Sequence, residues 1–315
     1  MTLDVAQAFI ILVLGIGVLT LCSDRAVDSS VRIALRLGVS PLMTGLVLVS
    51  LGTDFPEIVN SIVACAAGHA NVALGDALGS VLAQITLVLG LLPILGRQFV
   101  VKPQEILVIG ISVVLALVFS ISMAEKGYFT RINAIFLVAS WPAFMFLARS
   151  AIGGSAEPGH PAKEDGTGSL ILHFLAAIFS FLGVAIGSYA VIQSVLKLAE
   201  AFRVSEYLVS FFAVAIGTSL PEFVVDIAAI RRGQFELAIG DILGSCLVDA
   251  TVAVGIGHIL FPQRVSGELA LVTGLYAAFA SSVVIIVLAA RKKLDRKAGV
   301  LFLVVYLLSY ALLGF

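Results

Sequence analysis

Two short stretches hold the residue types best able to do chemistry. Gly52-Thr53-Asp54-Phe55-Pro56-Glu57 lies inside a long apolar run, and Gly217-Thr218-Ser219-Leu220-Pro221-Glu222 returns in a second one. Each sets a carboxylate directly after a proline, at the depth of a membrane. A charge in hydrocarbon costs several kcal/mol or more, so such a group is a functional candidate by default. Proline lacks a backbone donor and clashes with the preceding turn, which predicts a broken or bent helix beside each Glu, with carbonyls freed there. Residues three or four apart share a helix face. Asp54, Glu57 and Ser61 therefore form one stripe, and Ser80 and Gln84 another; the second copy gives Ser219, Glu222 and Asp226, then Ser245 and Asp249.

If the two breaks meet, these residues supply carboxylate, amide, hydroxyl and carbonyl oxygens, with no nitrogen or sulfur ligand. Hard oxygen sets suit Ca²⁺ or Na⁺ and argue against zinc, copper or iron. Two ionised glutamates would neutralise one calcium ion, and cation binding is expected to compete with protons and to weaken as pH falls. Cys22, Cys65 and Cys246 are isolated, with no C-x-x-C, and read as small buried hydrophobes. His69, His160, His173 and His258 are equally scattered and are assigned no metal.

The elements that must position this chemistry follow from composition. With 60% hydrophobic residues, 12% charged and a mean hydropathy of +1.12, the chain is a polytopic membrane protein. A net charge of −1 gives no reason to expect a nucleic-acid partner. Residues 1–7 carry Asp4 and no base, unlike a cleaved signal peptide, so the first apolar segment is expected to be retained. At about 20 residues per span, the predicted spans are 5–22, 41–67, 71–95, 104–122 and 129–148, then 169–199, 205–230, 235–260, 267–290 and 298–314. The expected organisation is a first half, 1–149; a Gly-, Pro- and charge-rich connector, 150–168; and a second half, 169–315.

Cytoplasmic loops carry the Lys/Arg excess. Alternate loops hold 14 basic residues, including Arg25, Arg97, Lys163, Arg232 and Lys293, against 5 in the other set. This predicts a multi-pass cell-membrane protein with both termini extracellular and the connector cytoplasmic. Five spans per half then turn the second half upside down relative to the first. The halves also repeat: adding 165 to positions 40–90 gives 205–255 without a gap, with 19 of 51 residues identical. The matches include Gly75-Asp76 with Gly240-Asp241 and Gly79-Ser80 with Gly244-Ser245. The fold class expected is an all-α integral membrane protein of ten transmembrane helices, as two inverted five-helix repeats with broken helices at the core.

G-T-x-x-P-E followed by G-x-x-x-G-S, twice and inverted, resembles the α-repeats of the calcium/cation antiporter superfamily, in particular its prokaryotic sodium/calcium exchanger branch. The resemblance spans nearly the whole chain in topology and about 50 residues per half in motif. It implies ions bound midway across the membrane between the two repeats, with the first helix of each half sliding as a gate. By resemblance, Glu57 and Glu222 match calcium-binding glutamates, Ser80 and Ser245 site serines, and Thr53 and Thr218 threonines whose backbone oxygens help bind sodium. Asp249 falls on the acidic position that closes the second repeat's site. Five departures stand out: Gln84 replaces an Asn or Asp, Asp54 and Asp226 each replace a Ser, and Asp76 and Asp241 each replace an Asn. Ser219 keeps the Ser that Asp54 replaces.

Asp54 and Asp226 can ligate or line the cavity, whereas Asp76 and Asp241 read as structural, capping or hydrogen-bonding near helix starts. The function expected is an antiporter exchanging Ca²⁺ for Na⁺, with Glu57 and Glu222 shared between the ions, no cofactor and no enzymatic activity. A proton-coupled or other cation antiporter of the same fold is the alternative. An intramembrane aspartyl protease would need G-x-G-D, whereas Ala73-Leu74-Gly75-Asp76 and Ala238-Ile239-Gly240-Asp241 lack the first Gly. A cation channel has no need of inverted repeats.

Overall fold

A computed structural model describes residues 5–152, 170–199 and 206–313, and within these ranges the chain is almost entirely helical. The first half runs α1 (Val5–Leu37), α2 (Pro41–Thr53), α3 (Phe55–Ala66), α4 (Ala70–Leu95), β1 (Phe99–Val100), α5 (Pro103–Ala124), β2 (Tyr128–Phe129) and α6 (Arg131–Ile152). The second runs α7 (Leu170–Ala199), α8 (206–218), α9 (Leu220–Arg231), α10 (Phe235–Leu260), β3 (Gln263–Arg264), α11 (Gly267–Arg291), β4 (Lys293–Leu294) and α12 (Arg296–Leu313). Beyond Ile152 the connector lies outside the described residues.

Six unbroken helices are long and apolar enough to cross a bilayer. The pairs α2–α3 and α8–α9, bent by 42° and 41°, each make one broken span. With α1 and α7, of 33 and 30 residues, the spans among the described residues number ten. Most predicted spans agree with the helices to within a few residues. The exception is α1, which continues through a stretch expected to be a loop. There Ala26, Val27, Ser30 and Ile33 are buried, while Asp28 pairs with Arg32 at 3.0 Å on the same helix and with Arg232 at 3.4 Å. An amphipathic face packed on α9 therefore keeps the helix going past the hydrocarbon.

The 165-residue register extends well beyond the two motifs. Gly68 and Gly233 share a positive φ, +87° and +77°, at the turns into α4 and α10. The α-helix widens into a π turn at Gly45–Val49 and again at Ser210–Val214. Thr130 caps α6 at the Asn133 N–H, and Asp295 caps α12 at the Ala298 N–H. The ribbons correspond as well, since β1 pairs with β4 and β2 with β3.

The repeats interlock through glycine. α2 packs on α10 and α8 on α4. A Cβ on Gly240 or Gly244 would run into the carbonyls of Leu42 and Leu46, and one on Gly75 or Gly79 into those of Tyr207 and Phe211. Small residues let the backbones approach this closely, which is how helices associate where no water drives them together. Outside this core α1 lies along α7, and α5 along α11.

The loops fall at two ends. One end gathers Asp28 with Arg232, Lys102 with Glu236 at 2.9 Å, Phe99 stacked on Phe235, and the β1–β4 ribbon. The other gathers the β2–β3 ribbon, Arg131 on the Ile259 carbonyl, and Gln263 on that of Cys65. Thus the loops of the basic set that are described lie together. Lys102 is exposed, and its hydrogen bond to Glu236 raises its pKa. Large apolar side chains such as Ile132, Phe146 and Phe179 cover the flanks, the surface a lipid-embedded bundle presents.

Candidate functional site

Both helix breaks fall where the two prolines required them. At Asp54 and Ser219 the backbone leaves the helix with φ, ψ of −74°, 4° and −77°, 4°. Pro56 and Pro221 then sit in the first turn of α3 and α9, followed at once by Glu57 and Glu222. A carboxylate in a helix's first turn faces the positive end of its dipole. Because proline has no N–H, the Gly52 and Gly217 carbonyls, four residues back, lose their helical donors.

The two breaks meet. One oxygen each from Asp54, Glu57 and Asp249 can be taken within 4.8 Å of one another, and all three residues are buried. Glu222 joins them, near enough for its charge to act on Asp54, Glu57 and Asp249. Gln84 stands beside Asp249. Both oxygens of all four carboxylates, and both polar atoms of Gln84, lack a hydrogen-bond donor or acceptor among the described residues, as does the Ser245 hydroxyl. No Lys or Arg is buried among the described residues, so no side chain offsets this charge. Isolated buried charges are too costly to stand alone. The arrangement fits a metal cation as the missing partner, since it is hard, all oxygen and strongly anionic.

All ten candidates are buried. Asp54, Glu57, Glu222, Asp249 and Gln84 converge on the cluster, and Ser219 marks the second break with its hydroxyl unpartnered. Thr53, Thr218 and Ser80 have their hydroxyls engaged. Thr218 Oγ1 donates to Asp76 Oδ1 at 3.0 Å and lies 3.2 Å from Ser80 Oγ. Thr53 Oγ1 reaches Asp241 Oδ1 at 3.4 Å. These cross-links select among the expected roles: Asp76 and Asp241 hydrogen-bond and do not cap. They are buried in the seventh position of α4 and α10, too far in to reach a free N–H at the helix start, and accept from the opposite repeat's threonine instead.

Two contributors escaped the sequence reading. Asn60 donates to Asp76 Oδ2 at 2.5 Å from the antiparallel neighbour α3. Phe181 of α7 is buried with its ring directly over Gly52 at the first break. Asn60 could have been found by pairing α3 and α4 about the Gly68 turn. Nothing in the sequence pairs Phe181 with Gly52.

Inverted repeats whose broken helices bury unpartnered carboxylates at mid-depth are the architecture of an ion transporter. The chain belongs to the sodium/calcium exchanger protein family, whose sequence model matches residues 7–149 and 172–315. An uncharacterised membrane protein of Methanocaldococcus jannaschii is 29% identical over 300 residues, 95% of each chain. The sodium/calcium exchanger MaX1 of Methanosarcina acetivorans is 25% identical over 336 residues, covering 95% of this chain and 96% of that one. A solved structure of the sodium-calcium exchanger NCX_Mj soaked with Na⁺ and Sr²⁺ aligns with a TM-score of 0.79 and 27% identity, covering 99% of this chain and all of that one.

Proposed function

We propose that this protein is a secondary active antiporter that exchanges Ca²⁺ for Na⁺ at the carboxylate cluster between its repeats, by alternating access. The observation that carries the reading is the convergence of Asp54, Glu57, Glu222 and Asp249 with every carboxylate oxygen unpartnered. Calcium accepts six to eight oxygens in loose geometry. Glu57, Glu222, Asp249, Gln84 and Asp54 supply side-chain ligands, Ser80, Ser245 and Ser219 supply hydroxyls, and Thr53 and Thr218 offer backbone carbonyls. Shared carboxylates cannot satisfy both ions at once. Each ion therefore stabilises a state able to reorient while the bare anionic site does not cross, which couples the two fluxes.

The transported ions are cargo; the reading includes no cofactor and no catalysis. Residues 1–149 and 169–315 act as the two repeats on either side of the connector, 150–168, in a cell membrane. The described members of the basic loop set share one end of the molecule, which supports placing that end in the cytoplasm and both termini outside. In vesicles loaded with sodium, Glu222→Gln abolishes ⁴⁵Ca²⁺ uptake; wild-type rates in that variant would refute the site.

Asp54 supports a second reading. With it the cluster holds four carboxylates, more charge than one calcium ion balances, and protons can make up the difference in a proton-coupled antiporter of the same fold. Calcium uptake driven by a pH gradient with sodium absent is its signature, and no flux under those conditions removes it.

A further inference from the structure

The two repeats treat their conserved-register aspartates differently. In the first, Asp76 is met by donors: Asn60 on Oδ2 at 2.5 Å and Thr218 on Oδ1 at 3.0 Å. In the second, the one donor to Asp241 among the described residues is Thr53, on Oδ1 at 3.4 Å. The group facing it from α9 is another carboxylate, that of Asp226. Both aspartates are fully buried, and neither Asp226 oxygen nor Asp241 Oδ2 has a hydrogen-bond partner. A carboxylate can only accept. Two of them set against each other leave three buried acceptors without a donor, with no lysine or arginine buried among the described residues to balance them.

The pair adjoins the central cluster, near enough for the Glu222 charge to act on both of its members. Asp226 lies one helical turn beyond Glu222, about 5.4 Å along α9, towards Arg231 and Arg232. Asp241 lies one turn before Ser245 and two before Asp249 on α10. The pair is thus displaced towards the basic end of the molecule.

We propose that Asp226 and Asp241 form a second cation-binding site, for a hard oxygen-seeking metal ion, one turn from the central cluster on the way to the basic end. Two carboxylates match the charge of a divalent ion, and the Thr53 hydroxyl connects this site to the first helix break. In the first repeat Ser61 stands at the position of Asp226, and Asp76 is met by the Asn60 amide instead of by a second carboxylate. The proposal takes the class of ion from the exchanger reading, while its geometry stands independently.

Equilibrium binding to the purified full-length protein in detergent tests it, with ⁴⁵Ca²⁺ in the absence of sodium and ²²Na⁺ in the absence of calcium. Asp226→Asn and Asp241→Asn should each bind one ion fewer per chain than wild type. Glu57→Gln should lose a different ion and keep the one held by Asp226. A loss seen with ⁴⁵Ca²⁺ assigns a divalent site, and one seen only with ²²Na⁺ a monovalent site. Unchanged counts for both ions in both Asp variants overturn the proposal and leave a pair bridged by a proton. Should Asp226→Asn aggregate on gel filtration, Asp226→Ser, which copies Ser61 of the first repeat, takes its place. Exchange that persists in Glu222→Gln would defeat the central site without altering the Asp226 count, so the two failures are distinguishable.

Discussion

The two halves share a backbone and divide the chemistry unequally. Position for position they bend by 42° and 41°, turn on a glycine with positive φ, and press glycines on the opposite half's carbonyls. Among the polar and charged side chains of the core, three differences change the site most. Asp54 stands against Ser219, Gln84 against Asp249, and Ser61 against Asp226. The backbone match is what an inverted architecture needs, because each half must occupy the other's shape as access alternates. The side-chain differences decide how many charges sit where. The first half adds its extra acid at the break; the second adds acids at Asp226 and Asp249.

That comparison can be broken first at its centre. Glu57→Gln and Glu222→Gln should each cut sodium-driven ⁴⁵Ca²⁺ uptake by about a hundredfold or more, the scale of losing one buried charged ligand. If one variant keeps more than about a tenth of wild-type flux, the two glutamates are not equivalent and the site belongs mainly to one repeat.

Next comes the packing. Gly79→Ala and Gly244→Ala each drive a methyl into a carbonyl of the partner repeat, Phe211 and Leu46 respectively. Both should lower the thermal midpoint in detergent by the equivalent of about 1–3 kcal/mol. A neutral result at either would show that its helix crossing can open without cost.

The threonines sharpen the asymmetry. Thr218→Val loses a 3.0 Å bond to Asp76 and the contact with Ser80, whereas Thr53→Val loses one longer bond to Asp241. The first should cost about 1 kcal/mol and the second less; equal costs in thermal unfolding would count against the difference drawn between the repeats.

The smallest effect lies at the corresponding caps of α6 and α12. The Asp295 carboxyl is held below the usual carboxylate range, chiefly by the Ala298 N–H and further by Arg291 and Lys293. A depressed folded-state pKa contributes stability that is present above the ordinary carboxylate range and fades as pH falls through the depressed value. Asp295→Asn should therefore cost at most about 1 kcal/mol at neutral pH and nothing in strong acid. Thr130→Ala, at the corresponding cap, should cost the same at every pH. A pH-independent Asp295 effect would mean the cap works without its charge.

Much of this was legible because it is written in local terms. Apolar run length gave the ten spans, proline the two breaks, the register of Gly52 with Gly217 the repeat, and five spans per half its inversion. The end of α1 was misread because its charges suggested a loop, while the burial that keeps it helical comes from α9, distant in sequence. For Asp76 and Asp241 the hydrogen-bonding role was among those expected, but its partners were not legible for the same reason, since Thr218 and Thr53 belong to the other repeat. Helix and break follow from residue type within a few positions, and so the sequence by itself determined them. Tertiary structure alone decided which carboxylates converge, which find a donor, and which are left facing one another, because those outcomes depend on side chains brought together from opposite halves.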